Sequence, residues 1–400
     1  MRLKTIPEEF KKALPVLSKI KAAGYEAYFV GGSVRDVLLA KPIHDVDIAT
    51  SGFPEEIKAL FSRTIDVGIQ HGTVMVLADN QETYEITTFR TESTYQDFRR
   101  PDQVEFVRSL AEDLKRRDFT INAFALEEDG EIIDLFDGLE DLAAKIIRAV
   151  RNPHERFRED ALRMMRGLRF VSQLGFSLES ETAAAIEENH ALLAKISVER
   201  INVEFVKLLL GEYRSLGLKY FVETECFEYC PGLKNQGAAL LRFADLPEDT
   251  IKTEAQAWTL LLKCLDLSPE AVEPFLKAWK TSNQMIKQVQ NLLKGLNFRL
   301  EQEWTATMLY EIGADVILVE ELRPFFSQEN QSLLAEKKYQ KLPIHHLQEL
   351  AIGGKEILAS SDQPPGKWVS ELLHELELAV LNGEVANDSK ALLTMAAEKG

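Results

Sequence analysis

Apolar and polar positions in the first third of the chain alternate between strand-like and helix-like spacing, whereas from about Leu139 onward the helical period dominates. The switch predicts an α/β head on a helical body. Thr5 and Glu8 stand around Pro7 at capping-box spacing, and Phe10, Leu14, Leu17 and Ile20 then recur at helical intervals, which predicts a first helix. Ala27 to Val30 is an apolar run with the length of a buried strand. Gly31-Gly32 breaks it, and Ser33 is placed to cap a helix running to about Ala40. Val46 and Ile48 alternate with acids as a second strand, and further strands are expected at Thr73 to Leu77, Thr83 to Thr88 and Gln103 to Phe106. In the helical part Pro153, Gly175, Gly211, Pro231 to Gly232, Pro247 and Pro364 to Gly366 mark breaks, and no internal repeat is visible.

At 400 residues the chain exceeds what one hydrophobic core usually organises, so two or more domains are expected. With 45% hydrophobic and 28% charged residues the composition is that of a folded protein, which excludes a disordered or collagen-like chain. No apolar stretch reaches the roughly 18 residues of a membrane span, and Met1 to Phe10 carries charges where a signal peptide needs an apolar centre. A cytoplasmic protein is expected. Cys226, Cys230 and Cys264 fit neither zinc pairs nor a disulfide framework and read as buried thiols. A formal charge of -17 repels a polyanion unless positive charge is gathered locally, so local charge decides whether nucleic acid can be a partner.

Asp45-Val46-Asp47 is the strongest chemical signal. The strand period of two puts both carboxylates on one face, where their oxygens can hold hard cations such as Mg²⁺ together with substrate phosphates. Alone, such a pair is usually a solvated strand face. Glu85 could add a third acid from a neighbouring strand. Gly31-Gly32-Ser33-Val34-Arg35-Asp36 follows a strand and opens a helix, so its amides and Arg35 could face a triphosphate, although a plain strand-to-helix turn would use Gly-Gly equally well. Arg116-Arg117-Asp118-Phe119-Thr120-Ile121-Asn122-Ala123 offers Arg116 as a phosphate fork and Asn122 as a sugar or loop anchor, against the reading of a solvated basic helix end.

Between Lys145 and Phe170 eight Lys or Arg face three acids. Within it Asp160 and Arg163 stand three apart, neighbours on one helical face with Gly167 next along it, and a flat group could lie there; an ordinary intrahelical ion pair is the competing reading. A second run, Leu276 to Arg299, holds Lys277, Lys280, Lys287, Lys294 and Arg299 with Trp279 and no acid, and reads either as a phosphate-contacting surface or as a solvated helix face.

Taken together, the segments 31–36, 45–47, 116–123 and Glu159-Asp160-Ala161-Leu162-Arg163 resemble, in order and spacing, the class II tRNA nucleotidyltransferases, and look like their bacterial CCA-adding branch. Ser197-Val198-Glu199-Arg200-Ile201-Asn202-Val203-Glu204 resembles the family's last motif, which braces the helices holding the nucleotide, and Gly353 to Leu358, Pro365 to Val369 and Asn382 to Asn387 look like the bacterial tail. The resemblance implies an α+β, polymerase-β-like nucleotidyltransferase head over 1–138, a mixed sheet with helices, followed by an all-α neck over 139–205, body over 206–295 and tRNA-binding tail over 296–400. It implies addition of C, C and A to the 3′ end of tRNA from CTP and ATP without a nucleic-acid template. It further implies Mg²⁺ at Asp45 and Asp47, triphosphate contacts at Gly32 and Arg35, and nucleotide contacts at Arg116, Asp160, Arg163, Arg166 and Arg169. Lys277, Lys280 and Lys287 are the expected tRNA contacts, and a homodimer stays open. CC-adding and A-adding paralogues, poly(A) polymerases and a catalytically silent RNA-binding protein are the alternatives. Absence of a long basic extension, and a segment from Arg90 to Pro101 that resembles the flexible loop CC-adding enzymes have lost, favour full CCA addition.

Overall fold

The computed structural model describes residues 1–92, 104–247, 249–361 and 363–399, and these form two compact units, Met1–Gly237 and Ala238–Gly400. In the first unit a seven-stranded mixed sheet is built from β1 (Ala27–Val30), β2 (Asp47–Thr50), β3 (Thr64–Gly68), β4 (Thr73–Leu77) and β5 (Thr83–Thr88), then, past the short ribbon β6 (Arg90–Glu92) and β7 (Val104–Phe106), from β8 (Phe124–Leu126) and β9 (Ile132–Asp134). The strand order is β3-β4-β5-β2-β1-β8-β9, and β2 with β5 is the parallel pair. One face is covered by α1 (Glu8–Ala22), whose Phe10, Ala13, Leu17 and Ile20 are buried with Phe29, Ile48, Val74 and Ile86. Alternation along β5 is clean, with Tyr84 and Ile86 turned into the core and Thr83 and Glu85 turned out, as the side-chain period of a strand requires.

Helices α2 (Gly32–Leu38), α3 (Pro54–Leu60), α4 (Leu110–Lys115) and α5 (Gly138–Ala144) complete the α+β part. The chain then becomes helical, through α6 (Pro153–Glu159), α7 (Leu162–Leu174), α8 (Ser180–Asn189), α9 (Val198–Leu209) and α10 (Arg214–Glu223), relieved only by the two-residue pair β10 (Ile146–Ile147) and β11 (Ser177–Leu178). Asn152 starts α6 by accepting the N–H groups of His154 and Glu155, with Pro153 in the first turn where its missing N–H costs nothing. Gly175 ends α7 in the left-handed conformation. The second unit is helical throughout its described residues, from α11 (Gly237–Ala244), α12 (Glu254–Cys264), α13 (Pro269–Ala278) and α14 (Asn283–Glu301) through α15 (Ala306–Ile312), α16 (Val316–Leu322) and α17 (Ser332–Gln340) to α18 (Gly354–Ala359), α19 (Lys367–Leu381) and α20 (Ser389–Lys399). No described helix is long and apolar enough to cross a membrane.

Local details depart from the sequence reading at α1, at α2 and in the strands. Pro7, not Thr5, precedes α1, and no side chain caps it. Ser33 lies inside α2, which ends at Leu38, and its hydroxyl donates to the Val30 carbonyl instead of capping. Six strands were not expected: β3 is an edge strand whose Ile65 and Val67 stay exposed, while β6, β8 and β9 are three residues each and β10 and β11 two, too short to show a period. Of the expected strand from Gln103 and the loop from Arg90 to Pro101, residues 93–103 lie outside the described residues.

Candidate active site

Gly31 makes the geometry of the site possible. Its φ of 74° and ψ of -140° belong to a region only glycine enters cheaply, and a Cβ there would stand 3.2 Å from Arg117 Nη1 and 3.8 Å from Asp47 Oδ2. The β1 register pairs Val30 with Asp47, and the β2–β5 register pairs Asp47 with Glu85. The sheet therefore sets Asp47 beside the Gly-Gly turn on one side and beside Glu85 on the other. Burial first, then Glu85, pushes the Asp47 carboxyl above its ordinary range, with Arg117 pulling the opposite way. Asp45 precedes the strand and is exposed, so the expectation that both acids share a strand face holds for Asp47 alone. Among the described residues no three His, Cys, Asp or Glu side chains gather into a metal-holding group, so Asp45, Asp47 and Glu85 do not form a three-carboxylate centre.

A cleft of about 500 Å³ opens at this turn, and Asp47, Gly31, Gly32 and Arg35 form one part of its lining. Asp160 and Arg163 form another, with six further arginines at 90, 116, 117, 166, 169 and 200. With Asp118 the lining holds eight guanidinium groups against three carboxylates, a surplus that suits a polyanion within a chain whose overall charge is -17. Asp45 instead joins Asp47 and Glu85 around a neighbouring hollow of about 490 Å³, rich in acids. The structure thus brings together every expected nucleotide contact, namely Gly32, Arg35, Arg116, Asp160, Arg163, Arg166 and Arg169, around one space.

Most of these arginines are held from behind by an acid. Asp113, fully buried, accepts from Arg116 at 2.6 Å and from Arg117 at 3.1 Å, and although burial works against it the two guanidinium groups keep its carboxyl below the usual range. Asp118 accepts from Arg166 Nε at 2.7 Å, from the Asn122 amide at 3.1 Å and from the Phe119 N–H at 2.8 Å. Burial raises that carboxyl, and these partners, Arg166 foremost, more than offset it and hold it far below the carboxylate range. Glu204 pairs with Arg169 at 2.9 Å; desolvation nonetheless brings the Arg169 guanidinium down to about 10. Arg35 pairs with Asp36 at 2.8 Å and donates to the Asn122 side-chain oxygen Oδ1 at 2.7 Å, which fixes it facing the cleft. Arg35, Arg166 and Arg169 also surround the Phe170 ring, at 5.2, 5.6 and 4.2 Å from its centroid. Such charge-assisted bonds remove rotamer freedom before any ligand arrives.

Asp160 and Arg163 are not an ion pair along one helix. Asp160 closes α6 ahead of α7, its Oδ1 accepting the Leu162 N–H at 3.1 Å, and both its oxygens bond to Arg200 on α9. Arg163 bonds to Glu159 at 2.6 Å and to the Arg116 carbonyl at 3.2 Å. Nor does Gly167 leave a face for a flat ligand: the Phe119 ring fills it, 3.0 Å from where a Cβ would stand. Asp113, Asp118, Arg117, Arg200 and Glu204 are the residues that sequence reasoning did not single out, although all but Asp113 lie inside motifs it quoted.

In the second unit the run from Leu276 to Arg299 is not a continuous cationic face. Trp279 is buried, Lys277 pairs with Glu273 at 2.6 Å, and Lys294 pairs with Glu311. Arg299 turns inward to the fully buried Glu320 at 2.7 Å. Lys280 and Lys287 are exposed.

Three family descriptions match the chain. A poly(A) polymerase head domain matches residues 27–148, an RNA- and SrmB-binding site of polymerase A matches 175–236, and tRNA nucleotidyltransferase domain 2 matches 249–396. The chain is 61% identical to the CCA-adding enzyme of Enterococcus faecalis, over 99% of this chain and 98% of that one. It is 50% identical to the CCA-adding enzyme of Limosilactobacillus reuteri, over 98% of each chain. A crystal structure of the Bacillus stearothermophilus CCA-adding enzyme in complex with CTP superposes with a TM-score of 0.92, at 41% identity and 98% of each chain. Whole-length identity at this level, with a poly(A) polymerase head description over the residues that carry Gly31 and Asp47, places the chain in the CCA-adding enzyme family of tRNA nucleotidyltransferases.

Proposed function

We propose that this chain adds C, C and A to the 3′ end of tRNA from CTP and ATP, the tRNA 3′-hydroxyl attacking the nucleotide α-phosphate with release of pyrophosphate. The observation that carries the reading is the single cleft in which Asp47 and Gly32 share one space with Asp160, Arg163 and the arginine surplus. Asp45 and Asp47 would hold Mg²⁺. Their oxygens are the hard donors such an ion prefers, and Asp47, whose carboxyl is held above its ordinary range by burial first and Glu85 second, would have its charged form favoured by a bound cation. When bound, Mg²⁺ supplies charge stabilisation to the phosphate oxygens. The protein's own part is positioning: Arg35, Arg116, Arg166 and Arg169, each already fixed by an acid, receive the triphosphate and the nucleotide without reorganising.

Base choice needs no nucleic acid. Cytosine and adenine each present an exocyclic amino donor beside a ring-nitrogen acceptor, whereas uracil and guanine present a carbonyl beside a ring N–H. Asp160 accepts from the amino group and Arg163 donates to the ring nitrogen, so the pair suits C and A and opposes U and G. Each mismatch leaves a buried polar group unpaired at roughly 1–3 kcal/mol, enough in pairs for a discrimination of several hundredfold. Division of labour follows the chain, with chemistry in the head (1–138), nucleotide selection in the neck (139–205), and tRNA held by the body (206–295) and tail (296–400), Lys277, Lys280 and Lys287 among its contacts. A cytoplasmic setting is part of the same proposal. The test is Asp47→Ala with labelled CTP and ATP: addition of both nucleotides is lost while tRNA binding persists, and substantial CMP addition by that variant refutes the assignment.

A further inference from the structure

Asp160 does not present a free carboxylate to the cleft. Its Oδ2 accepts from Arg200 Nη2 at 2.7 Å, and its Oδ1 accepts from Arg200 Nη1 at 3.3 Å and from the Leu162 N–H at 3.1 Å. Arg200 belongs to α9, lines the same cleft and reaches across 40 residues of sequence to do this. The bond is forked, with two parallel N–H···O contacts that fix the plane of a carboxylate as one contact cannot. One turn further along α9 Glu204 holds Arg169, so residues four apart on one helical face clamp an acid and a base of the opposite wall. The two contacts of Arg200 are unequal. The short bond anchors Oδ2, while Oδ1 is shared between a long guanidinium contact and a backbone amide.

We propose that Arg200 is a positioning residue for base selection: it fixes the Asp160 carboxylate with Oδ2 anchored, leaving the more weakly held Oδ1 to take the amino group of the incoming base. The inference rests on the reading of Asp160 as the acceptor for C and A. A carboxylate released from the fork rotates about its side-chain bonds and can also re-pair with another guanidinium of the cleft, so it opposes the carbonyl of uracil less consistently. Arg200→Ala therefore reduces the preference for CTP over UTP about tenfold, chiefly by letting UTP in, with the CTP rate falling less. Arg200→Lys, which keeps the charge and one donor but not the fork, recovers only part of the preference.

The experiment measures single-turnover kcat/KM for CTP and UTP in the wild-type enzyme, Arg200→Ala, Arg200→Lys, Asp160→Ala and the Arg200→Ala, Asp160→Ala double variant, each checked for native circular dichroism. Expected is a lower CTP-to-UTP ratio in Arg200→Ala, and no further loss of that ratio when Arg200→Ala is added to Asp160→Ala. A mere brace between helices predicts otherwise: the CTP and UTP rates fall together, the ratio stays at the wild-type value and the two variants add. That result overturns the proposal for Arg200 alone. An unchanged ratio in Asp160→Ala instead refutes the selection role of Asp160, and the proposal falls with it. Should Arg200→Ala not fold, Arg200→Lys decides: a wild-type ratio overturns the proposal, and an intermediate one supports it.

Discussion

Asp118→Asn tests whether the cleft's arginines depend on the acids behind them. The carboxylate is 8% exposed and collects Arg166, the Asn122 amide and the Phe119 N–H. An amide of the same shape keeps one acceptor oxygen and turns an NH₂ toward donors, which leaves Arg166 facing another positive edge. Removing one partner of a buried pair costs about 3–5 kcal/mol. Arg166 is 35% exposed at its side chain and retains Glu204 at 3.9 Å, so solvent and that second acid lower the expected loss to about 2–3 kcal/mol. For a unit of this size that is a fall of about 5–10 °C in melting temperature. The pH dependence carries the sharper sign. Asp118 is held far below its ordinary 3.8, so it contributes stability above that value and loses it as pH falls toward the depressed folded value. Urea titrations followed by far-ultraviolet circular dichroism from pH 6 down to pH 2 should show the wild type keeping this increment to about pH 4 and losing it progressively below, with the Asn variant lacking it throughout. Equal stabilities at pH 6, or parallel pH profiles, refute the reasoning.

Gly31→Ala puts a methyl 3.2 Å from Arg117 Nη1 at a positive φ, so it should cost roughly 1–3 kcal/mol in a thermal melt and slow incorporation by moving Asp47 and Arg117. Lys280→Ala and Lys287→Ala should each flatten the slope of log tRNA affinity against log salt by about 0.7–0.9, whereas Lys277→Ala, already paired with Glu273, should change it less. Glu320→Gln leaves Arg299 and Arg323 buried without their shared carboxylate, so tryptophan fluorescence, which includes the bonded Trp304, should report a loss of about 3–5 kcal/mol.

The head was legible where an element is long enough to show its period, as in α1, β1, β4 and β5, and where glycine announces a turn, as at Gly31. Strands β8 and β9 were hidden because three residues carry no period and their pairing is set by distant partners. Candidate site residues were legible as types, a carboxylate pair and clustered arginines, but not as partnerships. Spacing places Asp160 next to Arg163; tertiary folding breaks the helix between α6 and α7 and hands Asp160 to Arg200, 40 residues on. The same limit explains the run from Leu276 to Arg299, whose charges look continuous in sequence. Acids from α13, α15 and α16 meet three of its five cations, and α14 turns Arg299 into the core.

The account's central claim is tested most directly by the lengths of the products. Wild-type protein incubated with tRNA ending at the discriminator base should lengthen it by two nucleotides with CTP alone and by three with CTP and ATP together, and should complete an A-less tRNA with ATP only. A product that stops at two nucleotides with both substrates, addition of A alone to pre-formed CC ends without any CTP use, or an open-ended A tail would contradict it.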